Sequence, residues 1–99
     1  MYITVSMYRA KDGQEDAIIA LHEDWQRRQR SRAKGYLSGE LLRRVEDPYE
    51  FIAIMRFENQ ESAYALTTDP EQNAWSRRVA SLTEYMPIST SYASEWQAS

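Results

Sequence analysis

Cysteine is missing altogether from the 99 residues. Its absence excludes disulfides, a thiolate metal site and a thiol nucleophile, and it suits a cytoplasmic protein. Histidine occurs once, as His22, so no metal site is expected. Glycine and proline number only three each, which leaves few places where regular structure must break. No apolar run approaches the roughly eighteen residues of a membrane span, and no membrane partner is expected. The chain enters a strand-like stretch, YITVSMY, directly after Met1, so a signal peptide is not expected either. Positive charge is in deficit, with 12 Lys and Arg against 15 Asp and Glu. The resulting pI near 5.1 argues against a nucleic-acid partner. The basic run RRQRSRAK, residues 27–34, falls where a helix should end, and cations there complement the helix dipole.

The remaining composition, 42% apolar and 12% aromatic, is that of one globular domain spanning 1–99. Residues 2–9 alternate in chemistry and carry β-branched and aromatic side chains, as a strand does. Ile3, Val5 and Met7 make one apolar face, and Tyr2, Thr4, Ser6 and Tyr8 a mixed one. Asp12 with Glu15 reads as a capping box opening a helix that runs to about Arg32, with Ile18, Leu21 and Trp25 along its inner stripe. Gly35 suits the end of that helix. Further strands are expected at 36–45 and 50–57, separated by the turn EDPY at 46–49. Asn59 caps a short helix over 60–67. Asp69, Pro70 and Gln72 open another that runs to about Glu84, and residues 87–97 form a last, polar strand.

The order β-α-β-β-α-β predicts an α+β, ferredoxin-like fold: a four-stranded antiparallel sheet with helices on one face. The first and third strands, which have the most apolar surface, belong at its centre. Helices on one face leave the other face apolar and open, a patch that a lone soluble chain rarely carries. A homodimer joined sheet to sheet is therefore expected.

Several side chains carry two readings at this stage. Trp75 shares a stripe with Val79 and Leu82, so it is either ordinary core or the wall of a pocket, with an indole N–H to offer a carbonyl oxygen. His22 borders the inner stripe of the first helix; it is either a partly exposed histidine bonded to a neighbour or a general base at a pocket mouth. Ser6, on the mixed face of the first strand beside Tyr8, is either satisfied by a neighbour or aimed at a ligand.

The stretches AKDGQED, GYLSGELLRR, EFIAIMRFENQESAYAL and TDPEQNAW resemble the antibiotic biosynthesis monooxygenase domain, of the dimeric α+β barrel superfamily, over about residues 2–96. The resemblance implies a pocket between helices and sheet in each subunit. The family includes cofactor-independent oxygenases of polycyclic aromatics, quinol oxygenases, haem-degrading enzymes and many members with no assigned substrate. In the haem-degrading branch the position matching Trp75 is an iron-ligating histidine and the position matching Ser6 an asparagine; both differ here, so that route is not expected. In the aromatic-polyketide branch, an asparagine and a tryptophan of the third strand correspond to Ala53 and Phe57, and a tyrosine of the next helix to Tyr64.

The leading expectation is an oxygenase without cofactor, flavin or metal, acting with O2 on a small phenol, quinol or anthrone. Trp25, Trp75 and Tyr64 would wall the substrate and Tyr8 would contact it. His22 would take its proton, and Ser6 or Arg78 would steady the developing oxyanion. The alternative is a non-catalytic small-molecule-binding dimeric module, because this architecture hosts unrelated activities. Haem binding through His22 ranks third.

Overall fold

The computed structural model describes residues 1–98. Strand β1 (Tyr2–Arg9) leads into α1 (Glu15–Arg28), then β2 (Tyr36–Arg43), β3 (Glu50–Phe57), α2 (Gln60–Thr67), α3 (Pro70–Ser81) and β4 (Ile88–Ala93). The strands pair antiparallel in the order β2-β3-β1-β4, so the two most apolar strands are central, as their composition requires. All helices lie over the face carrying Tyr8, Phe51 and Phe57, which are buried together with Ile18, Trp25, Leu66, Trp75 and Val79. Among the described residues no helix is long and apolar enough to cross a membrane.

Two of the helix starts follow from local chemistry. The Asn59 side chain accepts the Ser62 N–H at 2.9 Å, and that of Asp69 accepts the Glu71 N–H at 3.0 Å with Pro70 at the first helical position.

The expected start of the first helix is corrected. Asp12 is not its cap: Gly13 sits at φ +81° in a tight turn closed by Gln14 N–H donating to Lys11 O at 3.0 Å. The helix begins only at Glu15, whose carboxylate accepts the Gly13 N–H at 2.9 Å, while Asp12 accepts the Tyr49 hydroxyl.

Four far ends are shorter than expected, each because the chain finds another partner or none. The α-helix stops at Arg28 and tightens into a 3-10 turn over Arg30–Arg32. Strand β2 stops at Arg43, because its partner β3 begins only at Glu50. Helix α3 stops at Ser81, where Leu82 O and the Glu84 N–H turn aside to bond Lys11 and Arg9 beyond and at the end of β1. Strand β4 stops at Ala93, opposite Tyr2, since β1 extends no further.

The reverse face of the sheet is uncovered. Leu42, Ile52, Met7 and Ile88 stand opposite one another in register, one from each strand, and form an apolar row across the whole sheet. Met7 is 49% exposed and Ile88 57%.

Candidate functional site

Helices α1 and α3 lean on each other but stand off the sheet, and between them opens a cavity of about 950 Å³. The alternation of β1 places Thr4, Ser6 and Tyr8 on its floor, and Ser89 and Ser91 of the neighbouring β4 extend that hydroxyl-bearing surface. His22 and Trp25 of α1, three residues apart, look down from one side. Trp75 of α3 forms the opposite wall, and Tyr64 of α2, 57% exposed, stands at the opening.

Six residues singled out from the sequence, Ser6, Tyr8, His22, Trp25, Tyr64 and Trp75, thus share one hollow. Arg78 does not: it is exposed on α3, outside the lining, so it has no place in steadying an anion there.

Hydrogen bonds decide which polar atoms remain free. The Trp75 indole N–H donates to the Leu21 carbonyl of α1 at 2.7 Å, so it serves the helix packing and is not offered to a ligand. The Trp25 N–H likewise donates to Gln72 Oε1 at 2.5 Å. Gln72, which reads as part of a helix opening, is therefore an α1–α3 link that also lines the cavity. Its position three residues before Trp75 is the signal that places it on that face. Trp75 is consequently both core, at 8% exposure, and wall. Ser6 Oγ shares a hydrogen bond of 2.9 Å with Ser89 Oγ, so it is satisfied by a neighbour while still bordering the void.

His22 is held at both nitrogens. Nδ1 lies 2.9 Å from Ile18 O, which can only accept, so Nδ1 carries the proton. Nε2 then accepts from the Tyr8 hydroxyl. The rings of His22 and Trp75 meet edge to face, with centroids 5.0 Å apart at 80°. Burial pushes the His22 pKa below the 6.5 of a free imidazole, partly opposed by the bond to Ile18, and burial raises that of Tyr8. Both groups are neutral at pH 7.

Tyr36 and Met55 are among the lining residues that were not singled out from the sequence. Tyr36, opening β2, packs its ring against Trp25 at 4.9 Å and 62°. Met55 of β3 lies on the same inward face as Phe51, Ala53 and Phe57.

Among the described residues, no three His, Cys, Asp or Glu side chains gather closely enough to hold a metal ion. Nor does the donor set suit haem iron: the lone imidazole has both nitrogens engaged, and the other wall is an indole.

The family model described as antibiotic biosynthesis monooxygenase matches residues 1–78. No curated protein matches the chain by sequence. Among solved structures, a provisionally named antibiotic biosynthesis monooxygenase from Nitrosomonas europaea superposes with a TM-score of 0.82 at 19% identity, over 97% of this chain and 100% of that one. A variant of SnoaB, a cofactor-independent oxygenase from Streptomyces nogalater, gives 0.79 at 11% identity, over 97% and 94%. A Mycobacterium tuberculosis protein gives 0.83 at 16%, over 99% and 98%. At such identities these likenesses establish the fold.

Proposed function

The chain belongs to the antibiotic biosynthesis monooxygenase family, and on that footing we propose that it is a cofactor-independent monooxygenase oxidising a small phenol, quinol or anthrone with O2. The observation that carries the reading is the cavity itself, about 950 Å³, with aromatic walls and the chain's single imidazole inside it. A flat substrate would stack between Trp25 and Trp75, with Tyr64 at the entrance. Its oxygens would meet the hydroxyls of Ser6 and Tyr8, and His22 would receive its proton.

The substrate anion then supplies the electrons. One passes to O2, the resulting radical pair combines to a peroxide, and loss of water leaves a carbonyl. For an anthrone-type methylene both hydrogens leave with one oxygen atom as water, and the other oxygen atom stays on carbon. The protein binds the ring, favours the anion and keeps bulk water from the peroxide.

The same proposal has two chains joined through the apolar row of the sheet's reverse face. A second reading, a non-catalytic binding module, is favoured by one observation: both indole N–H groups and the Ser6 hydroxyl are already paired within the chain.

Oxygen consumption with a panel of hydroquinones and anthrones, and nothing added, separates the two. Uptake with at least one compound, lowered tenfold or more in a folded His22→Ala variant, is expected. Binding without uptake across the panel leaves the module reading.

A further inference from the structure

We propose that Tyr8 is the group that takes the substrate's proton, and that His22 stores it, so that the two act as a proton relay. This rests on the oxygenase reading of the cavity and adds to it the atom at which the proton first moves.

The hydrogen bonds are wired in a single direction. The Ile18 carbonyl cannot donate, so the neutral imidazole holds its proton on Nδ1 and turns a lone pair at Nε2 toward the Tyr8 hydroxyl. That hydroxyl must donate, which leaves its oxygen lone pairs as the acceptors available to a third group. Nε2 itself is occupied by the Tyr8 hydroxyl, and a substrate could not reach it without displacing that hydroxyl, whose ring is stacked on both neighbours. The Tyr8 ring lies 5.8 Å from His22 at 27° and 6.3 Å from Phe51 at 24°. Trp75 also packs edge to face with the imidazole. Both Tyr8 and His22 border the cavity.

The step follows from that wiring. As a substrate O–H bond breaks, its proton joins the Tyr8 oxygen while the proton of Tyr8 passes to Nε2. The products are a substrate anion and an imidazolium, with Tyr8 again a neutral phenol and no electron transferred. The mutual attraction of the two charges across Tyr8 offsets the burial that disfavours the imidazolium alone. A phenolate, which burial disfavours, never forms. The proton returns by the same path to the oxygen that leaves as water.

The other charged side chains lining the cavity are Glu23 and Arg27 of α1 and Glu40 of β2; α3, β1, β3 and β4 bring none. Glu40 is paired with Arg56 at 3.0 Å, which leaves Glu23 as the competing base to be tested.

The experiment uses the full chain and 4-nitrophenol, whose ionised form absorbs at longer wavelength, at a pH below that at which the free phenol ionises. The wild-type protein is expected to bind it as phenolate. Tyr8→Phe, which keeps the ring, and His22→Gln are expected to bind it uncharged, and Glu23→Gln to behave as wild type; circular dichroism confirms that each variant is folded. Failure of the wild type to bind or ionise the probe overturns the relay, as does undiminished ionisation in Tyr8→Phe. The two readings can fail separately. An intact ionisation pattern without oxygen uptake by any panel compound removes the oxygenase and leaves the relay. Full uptake in Tyr8→Phe removes the relay and leaves the oxygenase.

Discussion

His22 shows how much one side chain gathers from its surroundings. Burial disfavours its charged form, so it folds as the neutral imidazole, and its titration leaves a signature on stability. In the unfolded chain it binds a proton as the pH falls through about 6.5, while the folded chain resists until lower pH. Between those values the unfolded state holds more protons, so stability is full above about 6.5 and declines below it. Asp47 belongs to a different window. The Arg9 guanidinium holds its carboxyl below its ordinary 3.8, and its contribution is lost only as the pH falls under that value. Urea midpoints at pH 7 and pH 5 should therefore fall in the wild type, and fall less in His22→Gln. An equal fall in both would show that the imidazole is not buried in its neutral form. None of this was readable from the position of His22 beside the stripe of the first helix. The spacing marks a border residue, but the partners lie fourteen residues away on β1 and a turn back on α1.

At the level of elements, α1 and α3 make the cavity by clamping each other above the sheet. Asp69 works in both directions: it caps α3 through the Glu71 N–H and accepts Arg32 of the turn after α1 at 3.1 Å. Asp69→Ala should lower stability by about 1 kcal/mol, the usual worth of such a cap, measured by urea unfolding. No loss would mean that the packing of Trp75 and Val79 and the Gln72–Trp25 bond hold α3 without the cap.

Gly35 is a second fixed point. It stands at φ +80°, and a side chain there would collide with the Ser62 hydroxyl of α2. Asn59 and Asp69 announce their helices because a cap depends only on residues within one turn. Asp12 with Glu15 displays the same pattern without the same outcome, because Gly13 takes a left-handed conformation that delays the helix to Glu15.

For the whole molecule, the decisive feature is the apolar row Leu42, Ile52, Met7 and Ile88 on the side that no helix covers. A second copy set face to face would bury it. The protein should sediment as a dimer. Ile52→Asp should weaken self-association by roughly a hundredfold, since placing an unpaired charge in that face costs about 3 kcal/mol. A wild-type monomer at micromolar concentration would sink the shared-sheet arrangement, and retained binding by the monomeric variant would show each cavity to be complete within one chain.

Alternation, helix stripes and caps were enough to set the strand order, the inward faces and the exposed reverse side, because each depends on neighbours within a few residues and on the need to hide apolar surface. They also brought Trp75, His22 and Ser6 to the same side of the sheet. Which of their polar atoms are free is another matter. The indole of Trp75 is tied to a carbonyl 54 positions away, Ser6 to a serine 83 away, and His22 is capped by Tyr8. A hydrogen bond forms or fails over a few tenths of an ångström, and only the packing of distant segments sets distances that finely.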